Sequence, residues 1–168
     1  CLAEIHPAAV VDAILAKRNL GTQRSMAPIT VGLGPGFTAG EAVDAVVETM
    51  RGHDLGRVLY AGAALPNTGV PGLIAGEGTK RVIHAPAAGN IVHKARIGDL
   101  VEAGQTIALL GDTPVKATLT GVLRGLIRAG YPVTCGLKIA DIDPRGEQQK
   151  NCFTVSDKAR CIAGGVLE

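Results

Sequence analysis

Between Pro28 and Gly52 the apolar positions follow two rhythms. "PITVGL" is a short β-branched run, and after a glycine-rich stretch Val43, Val46, Val47 and Met50 recur at i, i+3, i+4 and i+7. That second spacing is one face of a helix, with Glu41 suited to its start and Arg51 and Gly52 to its stop. The pattern therefore predicts strand, loop and helix over 28–52. Upstream, "PAAVVDAILAKRNLGT" reads as a buried strand ending in a polar loop or as a short helix. The apolar run is too brief to separate the two, and the strand is favoured. Downstream, "GRVLYAGAAL" predicts another strand. The order strand, strand, helix, strand describes part of a parallel sheet, so residues 1–78 are expected to form a partial Rossmann-like α/β domain. Parallel sheets are normally covered by helices on both faces, and one clear helix is too few. Companion elements are expected from an upstream segment of the same protein, in keeping with Cys1 as the first residue.

The middle of the chain has a different rhythm. Gly89, Gly98 and Gly104 stand 32 residues before Gly121, Gly130 and Gly136. Ala85 and Ala117, Arg96 and Arg128, Val101 and Val133, Ile107 and Ile139, and Ala108 and Ala140 add five identities at the same spacing. "HAPAAGNIVHKARIGDLVEAGQTIAL" and "KATLTGVLRGLIRAGYPVTCGLKIAD" are thus two copies of one unit. Each is shorter than the ~40 residues below which a chain rarely folds unaided, so the copies are expected to share one core as a pseudo-twofold, all-β domain over 79–144. Strands are predicted at Asn90 to His93 and Thr106 to Leu110, with glycine turns between them that an alanine would disturb. Residues 145–168 form a tail, in which Ser156 suits the N-cap of a short helix through Lys158, Ala159, Cys161 and Ile162. Gly164 and Gly165 are expected to stop it.

Composition narrows the functional classes. Seventeen Lys and Arg against fifteen Asp and Glu leave a formal charge of +2, with no basic block, and two Phe, two Tyr and no Trp leave few platforms for stacked bases. Nucleic acid is not an expected partner. No apolar run approaches the ~18 residues that cross a bilayer, and no signal pattern opens the chain, so neither a membrane nor export is expected and the location read is cytoplasmic. Cys1, Cys135, Cys152 and Cys161 form no C-x-x-C pair, which points away from a metal site or redox dithiol; Cys152 and Cys161 are expected to be buried thiols. The 23 glycines are about twice the usual share of roughly 7% and demand many turns.

Candidate chemistry gathers in the first third. A glycine loop between a strand and a helix aims backbone N–H groups and the helix dipole at one spot, which suits a phosphate or carboxylate. Gly32, Gly34, Gly36 and Gly40 do not spell G-x-G-x-x-G, because Phe37 takes the third glycine's place, and no G-K-[ST] follows. The alternative is a tight turn without a ligand. Ligands of open α/β sheets favour the carboxyl edge of the strands. There the pattern places Lys17, Arg18 and Asn19, then Thr38, then Arg51, His53 and Asp54. These residues, with Gly32, Gly34 and Gly36, are the candidate anion or cofactor site, and a nucleotide or pterin phosphate is the ligand class it suits. No catalytic residue follows from the spacing, although His53 could exchange protons near neutral pH. "LPNTG" at Leu65 to Gly69 reads as an accident of a linker marked by Pro66 and Pro71.

"APAAGNIVHKARIGDLVEAGQTIALL" resembles the first half of biotinyl and lipoyl carrier domains, which fold as a barrel-sandwich hybrid and carry a modified lysine at the hairpin joining their halves. Here that hairpin is "LLGDTPVKA", with a tip of Gly111, Asp112, Thr113 and Pro114 that contains no lysine. Lys116, the nearest, matches His84 at the repeat spacing and is expected on a strand, so no covalent attachment is expected. Over nearly the whole chain, "VDAILAKRNLGT", "GLGPGFTAGEAVDAVVETMRGHDLGRV", "GDTPVKATLTGVLRGL" and "NCFTVSDKARCIAGGVLE" resemble the YqeB-type accessory proteins of the selenium-dependent molybdenum hydroxylase system. The resemblance implies an additional N-terminal Rossmann-like segment and a role in maturing molybdenum hydroxylases, with such a hydroxylase or its maturation proteins as partners. It supplies no catalytic residues. A non-catalytic ligand-binding and docking role is the first expectation; the alternative is an enzyme acting on a phosphorylated, nucleotide or molybdopterin-type cofactor at the Gly32 to Thr38 loop.

Overall fold

The computed structural model describes residues 2–70 and 72–168, so the expectations placed on Cys1 and Pro71 lie outside the described residues. The chain divides into two units, Cys1–Gly69 with Val155–Glu168, and Val70–Thr154. The C-terminal segment therefore belongs with the first third and does not form a separate tail.

In the first unit, α1 (Leu2–Ile5) leads into β1 (Ala9–Asp12), followed by β2 (Ile29–Leu33), β3 (Thr38–Ala39), β4 (Ala45–Val47), β5 (Val58–Leu59) and β6 (Gly62–Ala63). The main sheet has the order β1-β2-β4-β5, with β1, β2 and β4 parallel and β5 antiparallel to β4. The strands expected before Asp12 and around Val31 are present. The helix expected over 41–51 is not: the segment holds β4, and β3 pairs with β6 beside it. Val46 and Val47 are both fully buried but on opposite faces, Val46 among Phe37, Ala39 and Val43 and Val47 against Leu33 and Ile162. A strand buried on both sides shows no alternation, and its consecutive valines imitate a helical stripe. β-branched side chains then favour the strand. The register is fixed by Asp44, whose carboxylate accepts from the backbone N–H and the hydroxyl of buried Thr30, both at 2.8 Å, while its own N–H donates to the Thr30 carbonyl at 2.9 Å. The connection from β2 to β4 is therefore not the helical crossover of a Rossmann unit.

The helix expected near the C-terminus is α2 (Asp157–Leu167), and Ser156 caps it by accepting from the Ala159 N–H at 3.1 Å. It does not stop at Gly164 and Gly165 but runs through both. Gly165 is required by packing: a Cβ there would stand 2.1 Å from the Gly56 carbonyl oxygen and 3.0 Å from Val47. Ile162 and Val166 press on Leu33, Val47 and Leu55. The inward face of α2 carries Ile162 and Gly165, and this leaves Cys161 exposed and Cys152 half-buried, contrary to the expectation of buried thiols.

In the second unit, β7 (Val82–His84), β8 (Gly89–His93), β9 (Leu100–Val101), β10 (Thr106–Leu110), β11 (Thr113–Lys116), β12 (Gly121–Leu126), β13 (Pro132–Val133) and β14 (Lys138–Asp143) form two four-stranded sheets. Their orders are β11-β10-β8-β13 and β7-β14-β12-β9. Exchanging each strand for the one 32 residues away turns the first order into the second. The registers follow. Thr106 pairs with Lys116 as Lys138 pairs with His84, with a bulge after each. Val133 pairs with Gly89 as Val101 pairs with Gly121. In both sheets the short strand comes from the opposite copy, so neither copy completes a sheet by itself. One apolar cluster takes side chains from both: Ile83 and Val115, Ile91 and Leu123, Val101 and Val133, Ile107 and Ile139, and Leu110 and Ile142 are buried in it together. Gly121 lies so close to its neighbour that a Cβ would fall 2.2 Å from the Asp143 carbonyl oxygen.

Candidate functional site

The loops after β1, β2 and β4 leave the sheet at one edge, the carboxyl edge of the parallel strands. The loop after β2 carries Gly34, Pro35 and Gly36, and both glycines are in the left-handed region, at φ +78° and +108°. A Cβ on Gly36 would meet the Arg18 backbone at 2.5 Å, and one on Gly34 would meet the Thr49 hydroxyl at 2.5 Å. The three loops are thus in contact, with the glycine loop held between the loop after β1 and the loop after β4. The Gly34 N–H donates to the Val47 carbonyl at 2.8 Å and so prolongs the sheet. The chain then turns into β3, where the Thr38 carbonyl accepts from Ala42 at 3.0 Å. Because no helix begins at Thr38, the helix dipole invoked for this loop is absent there.

The predicted residues divide by what they touch. Gly32 serves packing, since a Cβ on it would stand 2.4 Å from the Phe37 ring. Asn19 closes its own turn, accepting from Gly21 and Thr22 at 2.8 and 2.7 Å and donating to the Thr22 carbonyl at 2.8 Å. Its amide is spent on local structure. Lys17 and Arg18 are exposed beside the glycine loop, and Lys17 itself is in the left-handed region at φ 63°. Arg51 makes a two-pronged pair with Asp157 at 2.9 and 3.1 Å, joining the loop after β4 to the start of α2. This contact holds the Asp157 carboxyl far below its ordinary range and the Arg51 guanidinium above its own. His53 is exposed in the following turn, where Asp54 pairs with Arg57 at 2.9 Å.

Two residues that the sequence did not single out complete the edge. Lys158, from the first turn of α2, is half-buried; burial lowers its ammonium pKa, the charges of Lys17 and Arg51 lower it further, and Glu48 opposes them. Glu48 is buried at the end of β4, with its carboxylate accepting from Met50 at 2.7 Å and Leu65 at 2.8 Å. Helical spacing had disguised Glu48 as a solvent-facing position. Lys158 lies more than a hundred residues from Lys17, and only the N-cap at Ser156 hinted at a helix there. The edge therefore gathers Lys17, Arg18, Arg51 and Lys158, with one carboxylate partner for Arg51. Like charges that lower one another's affinity for protons are relieved when an anion sits among them.

In the second unit the two copies are joined by a hairpin whose tip is Gly111 and Asp112. Leu110 pairs with Thr113, and Thr113 and Pro114 already belong to β11. Lys116 is exposed on that strand. Elsewhere in the unit, buried Asp143 is gripped by Arg145 at 2.8 and 2.9 Å and by Arg124 at 3.2 Å, and buried Arg81 holds Asp141 at 2.8 Å and the Gly72 carbonyl at 2.9 Å. Among the described residues no helix is long and apolar enough to cross a membrane.

No family model matches the sequence. The chain is similar to "Uncharacterized protein YqeB" of Escherichia coli (strain K12), 58% identical over 167 residues. That match takes in 99% of this chain and 31% of the relative, so the chain spans about a third of the relative's length.

Proposed function

We propose that this chain is part of a YqeB-type accessory protein of the selenium-dependent molybdenum hydroxylase system, with a non-catalytic role: it binds a phosphorylated ligand and docks a partner. In this reading the second unit is a barrel-sandwich hybrid of two dyad-related copies, related to biotinyl and lipoyl carriers but without their arm. The observation that carries it is the hairpin tip, which consists of Gly111 and Asp112 with Lys116 paired into β11. A carrier presents its lysine at a tip that a ligase can reach, whereas a scaffold without one keeps only its surface. The cationic edge of the first unit supplies the ligand function, and a nucleotide or pterin phosphate matches its charge. The partner is the hydroxylase or one of its maturation proteins, and the reading places the protein in the cytoplasm.

Titration calorimetry with ADP and with inorganic pyrophosphate tests the ligand, and chromatography of the recovered ADP tests for turnover. Binding that weakens by about tenfold or more when Lys17 and Lys158 are both changed to Ala, roughly 1.4 kcal/mol, with ADP recovered intact, supports the reading. Absence of binding contradicts it. ADP converted to product would favour the enzyme at the Gly32 to Thr38 loop instead. Intact mass of the chain made in a host with active lipoyl and biotin ligases checks the hairpin, and an added group on Lys116 would overturn the docking role.

A further inference from the structure

The main sheet of the first unit is covered on one face and half bare on the other. Parallel registers Ala9 with Ile29 and Val11 with Val31 put Ala9, Val11, Ile29, Val31 and Leu33 on one face. Across from Val31 and Leu33 lie Ala45 and Val47 of β4. α2 covers the β4 side of this face through Ile162 and Val166, which pack on Val31, Leu33 and Val47. It does not reach the β1 side, where Val11 is 42% and Ile29 55% exposed. The opposite face is closed over Thr30, Gly32 and Val46 by Phe37, Val43, Ala39 and Ala64. β1 is also an edge strand, with β2 on one side and no strand on the other among the described residues. A cleft of about 730 Å³ opens where these two strands begin, lined by Leu2, His6, Ala8, Met26 and Pro28 among others. Beyond β1, Ile14 and Leu20 are exposed as well.

Parallel sheets are stable when buried on both faces, and an open strand edge beside bare apolar residues invites another segment to pair there. We infer that the bare face of Ala9, Val11 and Ile29 and the open edge of β1 form a docking surface for the polypeptide that precedes residue 1 in a longer protein. It places an apolar segment across the face and adds a strand beside β1. The relative has more than two thirds of its length outside the matched region, enough for such a segment. α1 leads directly into β1, so a preceding segment reaches this edge without crossing the sheet, whereas α2 occupies the β4 side. This inference goes beyond the ligand and docking roles proposed above and does not depend on them.

The test compares the 168-residue chain with the longer polypeptide in which the preceding segment is attached, using Val11→Asp and Ile29→Asp in each. In the short chain both positions face water, so each variant should leave Tm within about 2 °C of the parent. In the longer polypeptide each should lower Tm by roughly 4 °C or more. Without any substitution, amides of Ala9 to Asp12 should exchange at least about tenfold more slowly in the longer polypeptide than in the short chain. Equal Tm effects in the two forms, or equal exchange at β1, overturn the inference. A short chain that dimerises in sedimentation experiments, with the dimer lost in both Asp variants, would assign the surface to a second copy and overturn it too.

Discussion

The two units solve the problem of burying a sheet in opposite ways. Residues 70–154 use each copy of a thirty-residue segment to finish the sheet of the other, so Ile91, Leu123 and their counterparts meet in one interior. The sheet of the first unit takes its cover from far along the chain, through α2, and leaves Val11 and Ile29 in water. A repeated segment carries its partner with it, whereas a non-repeated sheet must find cover elsewhere. It follows that a core substitution in the second unit should damage both copies, while comparable changes in the first unit act piecemeal.

Leu123→Ala should be the most damaging change considered, costing about 2 to 5 kcal/mol because the side chain is fully buried and the cavity opens between the copies. Urea unfolding followed by circular dichroism measures it. Val11→Ala in the 168-residue chain should stay within ±0.5 kcal/mol, and a similar loss at both sites would erase the contrast between the units.

Gly165→Ala should come next, at about 1 to 3 kcal/mol, because the added carbon meets the Gly56 backbone and pushes α2 from Val47. Hydrogen exchange should quicken in β4 while β8 and β12 remain protected. Gly164, where a Cβ meets nothing within 4 Å, is the control: Gly164→Ala should be neutral or slightly stabilising.

Acid should weaken the second unit through Asp143. Hydrogen bonding to Arg145 lowers its pKa to about 2, against the opposing effect of burial, while the unfolded chain has the ordinary value near 3.9. A carboxyl with a depressed native pKa adds stability in full above the unfolded value, and that stability is lost as pH falls from about 4 through 2. The loss should be about 2 kcal/mol, and Asp143→Asn should flatten that limb of the stability curve. The smallest effect is expected at Arg51→Ala. Its ion pair with Asp157 is exposed on both sides, so stability should fall by less than about 1 kcal/mol, while the pyrophosphate affinity should also weaken.

The second unit was largely legible because glycines at turns leave a periodic mark. Gly98, Gly104, Gly130 and Gly136 all have positive φ, and a side chain at those positions is strained whatever surrounds it. The strands at Asn90 to His93 and Thr106 to Leu110 follow from the apolar runs between those turns. The first unit was legible strand by strand but not in its cover. Val43, Val46 and Val47 fit a helical stripe only because β4 is buried on both faces. Nothing in the local sequence announces that Lys158 returns to the loop after β1, or that Gly165 is there to let α2 approach Gly56. Of the candidate site, Lys17, Arg18 and Arg51 do lie at the carboxyl edge. Asn19 and Gly32 serve local structure there, because an amide that can close a turn and a glycine beneath a phenyl ring look the same in sequence as ligand-binding residues.

Hydrogen exchange of the intact chain across a urea series tests most directly whether the two thirty-residue copies are one cooperative structure. Amides of Gly89 to His93 and of Gly121 to Leu126 should lose protection at the same urea concentration, and Leu123→Ala should move both transitions together by the same amount. Separate transitions for the two segments, or a shift confined to the segment that carries the substitution, would contradict the shared core.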